Sequence, residues 1–106
     1  MTVRQALVAL MSLACLSTAS IAATVETSRT LTGVAVEDPN QAYFRVAEAL
    51  TGSCAYNVVY VDLTKTTGKP HLALLLSARA MGKKLAVVAY NQDATGRCWV
   101  SSLEME

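Results

Sequence analysis

The chain is 106 residues long with a formal net charge of +1, and it is 53% hydrophobic, 6% aromatic and 16% charged. That length holds one small domain. Near-neutrality without a basic run speaks against nucleic-acid and anionic-membrane binders, which need a patch of cationic potential.

Residues 1–23 read as a secretion signal. Met1 to Arg4 gives a positive start, Ala6 to Leu16 is an apolar run too short to span a bilayer, and Ser20-Ile-Ala22 with Ala23 supplies small residues for cleavage. A membrane anchor or an ordinary N-terminal helix is the alternative. Cys15 makes no lipoprotein signal, because Ser12-Leu-Ala-Cys15 has serine where a branched apolar residue belongs. Cleavage leaves residues 24–106 as a single domain. It also removes Arg4, so eight Lys and Arg balance eight Asp and Glu. The leader accounts for part of the hydrophobic fraction, and no membrane insertion is expected of the rest.

Thr24 to Arg29 is polar and is expected to fray at the mature N-terminus. Thr30 to Glu37 is rich in β-branched residues and ends at the turn signal Asp38-Pro-Asn40; Gly33 within it suggests a bend or bulge. Gln41 to Leu50 admits two readings. Its propensities favour a helix capped at Asp38, whereas Tyr43-Phe-Arg-Val46 has strand composition and a hairpin through Asp38-Pro-Asn40 is natural. Strand is the reading taken.

Asn57 to Leu63 is a further strand, with Val59, Val61 and Leu63 on one face and Val58, Tyr60 and Asp62 on the other. After the polar loop Thr64 to Lys69, the spacing predicts a helix over Pro70 to Met81, with Gly82 just beyond its end and Lys83 and Lys84 near its negative pole. The helix is apolar on two sides: Leu72, Ala73, Leu76 and Ala80 share one face, and Leu74, Ala78 and Met81 lie opposite. The second face fits either contact with another subunit or deep burial in its own domain. Leu85 to Tyr90 is a central buried strand, Asn91 to Gly96 a turn, and Cys98 to Met105 a final strand.

Cys54 and Cys98 form no C-x-x-C motif, and in an oxidising compartment a disulfide between them is the favoured reading. Two free or intermolecular thiols are the alternative. The element order, mainly β with one helix between the third and fourth strands, matches the OB-fold, a five-stranded Greek-key barrel. There the third and fifth strands run parallel side by side, which puts both cysteines at the same end of adjacent strands. An α/β sandwich is the rival should Gln41 to Leu50 be helical.

Catalytic groupings are sparse. His71 is the only histidine and reads as a surface or packing residue. No metal site or cofactor is expected, and the serines lack a nucleophile elbow or a base partner. Asp62 and Glu104 form a carboxylate pair only if their strands bring them together. Thr67-Gly-Lys69 fails as a phosphate loop, lacking the upstream glycine and carrying Pro70 at the hydroxyl position. Tyr43, Phe44, Tyr56, Tyr60, Tyr90 and Trp99 offer either barrel core or stacking surfaces. With no basic residues beside them, sugar fits better than nucleic acid.

The stretch Leu74 to Tyr90, then a turn, then Gly96-Arg-Cys-Trp-Val100, resembles small secreted bacterial OB-fold proteins, and more specifically the B subunits of subtilase-type and pertussis-like toxins. The resemblance spans about Thr30 to Met105. It implies a non-enzymatic binding module that takes sialylated glycans on the barrel face and assembles as a ring with its helices at the centre. A homo-oligomer through Leu74, Ala78 and Met81 would follow. It also carries over one ligand-binding position: where the family has Ser-Gly-Val on its first strand, this chain has Thr32-Gly33-Val34, so Thr32 becomes the hydroxyl donor. Taken more broadly, the expectation is a secreted module whose ligand is a glycan or a protein; the competing expectation is a small periplasmic enzyme or enzyme inhibitor.

Overall fold

The computed structural model describes residues 23–106; the expected secretion signal falls almost wholly outside the described residues. Within them lie β1 (Thr24–Arg29), β2 (Leu31–Asp38), β3 (Gln41–Val46), β4 (Val59–Asp62), helix α1 (Gly68–Met81), β5 (Leu85–Gln92) and β6 (Cys98–Met105), with a short 3-10 turn at Ala55–Asn57. The protein is mainly β with one α-helix. Its strands form one mixed sheet in the order β1-β5-β6-β4-β3-β2. Every pairing is antiparallel except β4 with β6, which are parallel in the register Val59↔Cys98 and Tyr60↔Trp99.

Two expectations are corrected. The sheet has six strands rather than five, and it is open: its edges, β1 and β2, do not pair with each other. The break has a local cause. Ser28 has φ 52°, outside the strand region. At the next step Thr30 gives its backbone N–H to Glu48 Oε1 (2.6 Å) and its hydroxyl to Glu48 Oε2 (2.7 Å). Thr30 therefore joins the two edges covalently while its donors are committed to another segment.

The second correction concerns Thr24 to Arg29, which does not fray but pairs with β5 from Thr24↔Tyr90 to Arg29↔Leu85. Its inward residue is a carboxylate. Glu26, 2% exposed, accepts bonds from the Thr51 N–H (2.6 Å), the Thr51 hydroxyl (3.1 Å) and the Tyr90 hydroxyl (3.0 Å), and it pairs with Arg29 at 3.4 Å. A buried carboxylate is tolerable only with such a set of donors.

Gln41–Val46 is extended, and the second helix that an α/β sandwich needs does not form. Strand alternation outweighs helix propensity here, since Ala42 and Phe44 are buried while Arg45 is exposed. Val59 and Val61 of β4, Leu85 and Val88 of β5, and Cys98 of β6 complete one wall of the core, and α1 closes it with Leu75 and Ala78. Each fully buried aliphatic or aromatic side chain stabilises by about 1.5–3 kcal/mol.

Helix α1 starts where Gly68 meets β4. A Cβ at Gly68 would lie 2.2 Å from the Asp62 carbonyl oxygen and 2.8 Å from the Leu63 Cα, so only glycine fits. The helix ends in a Schellman motif at Gly82 (φ 64°), where Lys83 N–H reaches the Ala78 carbonyl at 2.9 Å. Its faces differ from those expected. Ala78 is fully buried and Leu74 packs on the core, so neither is free for a second subunit. Its large exposed apolar side chains are Leu76 and Met81, at 53% and 55%. Among the described residues, no helix is long and apolar enough to cross a membrane.

Candidate functional site

Tyr43, Tyr60 and Trp99 stand side by side on β3, β4 and β6, because the register pairs Tyr43 with Tyr60 and Tyr60 with Trp99. Their neighbours Ala42, Phe44, Val59, Val61 and Cys98 point into the core, so strand alternation turns the three rings to the outer face. Tyr43 and Tyr60 meet edge-on at 6.0 Å between centroids, and Tyr60 and Trp99 are tilted together at 5.3 Å. Tyr60 is only 4% exposed although it faces outward, since its neighbours roof it.

Part of that roof is cationic. The Arg45 guanidinium lies 5.6 Å from the Tyr43 ring centre and that of Arg97 lies 5.3 Å from Tyr60. The sequence reading, with no basic residue beside the aromatics, is corrected here. Each arginine is two residues from an aromatic on its own strand or strand entry, and a period of two puts such pairs on one face.

Two clefts flank the ring ladder. One, of about 260 Å³, is lined by Glu37, Tyr43, Arg45, Tyr56, Val58, Tyr60 and Arg97. The other, of about 510 Å³, lies toward β5 and includes Asp62, Lys65, Asn91, Asp93, Trp99 and Ser101 in its walls.

The segment presenting Tyr56 is strained. Tyr56 (φ 60°) and Asn57 (φ 54°) are consecutive left-handed residues without being glycine, and this conformation costs a non-glycine residue about 1–2 kcal/mol. Surrounding links hold it. Cys54 and Cys98 form a disulfide with Cα atoms 5.3 Å apart, Ala55 N–H donates to the Gly96 carbonyl at 2.8 Å, and Arg45 Nη1 donates to the Tyr56 carbonyl at 3.4 Å. Tyr56 is consequently 70% exposed at the rim of the smaller cleft.

Asp93 organises the opposite side. Its Oδ1 accepts bonds from the Thr95 N–H (2.8 Å), the Thr95 hydroxyl (2.6 Å) and the Arg97 N–H (3.1 Å), and its Oδ2 accepts the Trp99 indole N–H at 2.9 Å. The Thr95 hydroxyl, then the Trp99 indole, hold its carboxyl down to about 2. One side chain thereby fixes the turn from which both Arg97 and Trp99 emerge.

Thr32 lies exposed in β2 at a bulge between Leu31 and Gly33, and Gly33 pairs with Arg45. Thr32 lines neither cleft. A Cβ placed on Gly33 would meet nothing within 4 Å, leaving the surface beside Arg45 open. Asp62 and Glu104 are not brought together: Asp62 accepts from Thr64, while Glu104 is opposite Val87 near the far end of β6. His71 lies on α1, away from both clefts, and burial lowers its pKa. No family model, curated protein or solved structure matches the chain.

Proposed function

We propose that the protein is a secreted, non-enzymatic binding module of OB type that holds an oligosaccharide on the outer face of β3, β4 and β6. The observation that carries this is the Tyr43–Tyr60–Trp99 ladder with a cleft on either side. Sugar rings present apolar C–H faces that pack against single accessible rings, here Tyr56 at the rim of the smaller cleft and Trp99 in the wall of the larger, while their hydroxyls need the carboxylates and amides that Glu37, Asp62, Asn91 and Gln92 provide beside the ladder.

Three features support the OB reading. The helix falls between β4 and β5, β4 and β6 are parallel, and the two sheet edges are joined through Thr30 alone. In that architecture the second and third strands and the two loops beside them form the ligand surface. Here those are β3, β4, the Asp38 to Asn40 turn and the Asp93 to Arg97 turn. Thr32 and Gly33 extend the same neighbourhood along β2. The disulfide supports an extracytoplasmic home. Assembly like that of the toxin B subunits the chain resembles would use Leu76 and Met81, the large exposed apolar side chains of α1.

A glycan array probed with residues 24–106, alongside Trp99→Ala and Tyr56→Ala variants, tests the reading. Binding of an oligosaccharide that both substitutions weaken is the expected result. A protein that is folded and binds no glycan on the array overturns it.

A further inference from the structure

We infer that Arg45 and Arg97 form an anion subsite, so that the ligand is an extended acidic polysaccharide with charged groups repeated along its chain. The inference rests on the oligosaccharide reading above and specifies its chemistry. Neither guanidinium has a carboxylate partner among the described residues, where the ion pair formed is Arg29–Glu26. Arg97 donates only through its backbone N–H, to Asp93, and Arg45 spends one long bond on the Tyr56 carbonyl. Two cations thus line one cleft of about 260 Å³ with most of their donors unused. Stacking over Tyr43 and Tyr60 leaves the edge of each guanidinium fork open to a carboxylate or sulfate.

The two cations are held independently of each other. The arginines lie on neighbouring rings whose centroids are 6.0 Å apart, and they come from different elements, β3 and the entry to β6. The second cleft continues the surface past Trp99 and carries a further cation, Lys65. An open surface with cations along it suits the interior of a charged chain better than its tip.

Single-stranded nucleic acid is also polyanionic, and two features disfavour it. Of the rings in or beside the smaller cleft, only Tyr56 is widely exposed, so successive bases would lack platforms. Glu37, Asp62 and Asp93 also stand among the cations, where a phosphate at every step would meet repulsion.

The test is calorimetric titration of residues 24–106 with four ligands. These are a tetrasaccharide alternating uronic acid and N-acetylhexosamine, the same tetrasaccharide sulfated, a neutral N-acetylglucosamine tetrasaccharide, and a trisaccharide with one terminal sialic acid. An oligothymidylate serves as a fifth arm. One of the first two should bind at least about tenfold tighter than the neutral and singly charged sugars. Arg45→Gln and Arg97→Gln should each weaken it about tenfold or more, as expected for loss of a charge-assisted bond. Which of the two binds better identifies carboxylate or sulfate as the preferred group.

Equal binding of the neutral tetrasaccharide, or indifference to both arginine substitutions, overturns the anion subsite and leaves the oligosaccharide reading standing. Tighter binding of the terminally sialylated sugar overturns the extended chain, and tighter binding of oligothymidylate overturns the saccharide. If no sugar binds, the oligosaccharide reading falls and inorganic sulfate followed by arginine side-chain NMR decides the subsite. Shifts at Arg45 and Arg97 together support it, and their absence overturns it.

Discussion

Asp93 accepts the indole hydrogen of Trp99 at 2.9 Å while holding the backbone N–H of Arg97 at 3.1 Å. The carboxylate thus sets both an aromatic and a cation of the proposed ligand face from a turn that contributes nothing to the core. Asp93→Ala should leave the fold intact and weaken ligand binding. Trp99 is the only tryptophan, so its fluorescence reads the change directly: a red shift in the variant, with far-UV circular dichroism unchanged, is expected.

Acid should act through the same group and through Glu48. The Asp93 carboxyl is held down to about 2 by the Thr95 hydroxyl and the Trp99 indole, and the Glu48 carboxyl to about 2 by the N–H and hydroxyl of Thr30. Both folded-state values lie below the ordinary ones of 3.8 and 4.5. Their contribution is therefore complete above about pH 4.5 and lost as pH falls toward about 2. Glu26 adds in the same sense: burial pushes its carboxyl up, but the Thr51 and Tyr90 donors and Arg29 outweigh burial and hold it below its usual value. Thermal melts should dip slightly as pH falls through about 6.5, because burial opposes protonation of His71 in the folded state, and decline further below about 5 as the carboxylates are protonated. Glu48→Gln should flatten that decline, and a melting temperature independent of pH down to 2 would contradict the assignment.

Gly68→Ala should be among the most damaging single changes available. The added Cβ collides with backbone at Asp62, the end of β4, and at Leu63 just beyond it, not with a side chain able to swing away. Overpacking of this kind costs about 1–3 kcal/mol or more, equivalent to roughly 4–8 °C of melting temperature per kcal/mol in a domain of this size. Calorimetry of the variant, with Gly33→Ala as the open-space control, gives the comparison.

Removing the bridge by Cys54→Ala with Cys98→Ala should cost about 4 kcal/mol on the chain-entropy account, for a loop closed over a sequence separation of 44. A second loss should accompany the first. Tyr56 is only two residues beyond Cys54, so the strained turn relaxes and affinity for the proposed ligand drops even where the domain without its bridge is still folded. Denaturant melts and titrations on one sample separate the two effects.

The proposed assembly through α1 would use Leu76 and Met81, its large exposed apolar side chains. Leu76→Asp with Met81→Asp should convert an oligomer to a folded monomer, because an unpaired charge is costly to bury in an interface. Sedimentation velocity on the wild type comes first; a monomer at high micromolar concentration rules out a ring.

The elements legible in the sequence were those whose pattern is local. The run from Leu85 to Tyr90, the glycine after α1, and the alternation Ala42-Tyr43-Phe44-Arg45 each carry their own signal. β1 was illegible because its inward residue is Glu26, whose donors at Thr51 and Tyr90 lie far along the chain. The faces of α1 were misassigned because ideal helical spacing allots residues to sides without saying which side meets the sheet; contact with β2, β4 and β6 selected Leu75 and Ala78. At the proposed ligand face the aromatics were recognisable and the arginines were overlooked. The period-two spacing of Tyr43 with Arg45 and of Arg97 with Trp99 was signal enough to find them.

The pairing of β1 with β5 has a kinetic side. Thr24 meets Tyr90, so the first described strand finds its partner only after nearly the whole domain has been made. Closing so long a loop before any reward is slow, and until β5 arrives the buried position of Glu26 lacks its Tyr90 donor. A chain emerging N-terminus first would remain unable to complete its sheet until β5 is made. The late arrival of β5 and β6 would bring Cys98 to Cys54 in the same event that seats β1, tying oxidation to the last step of folding.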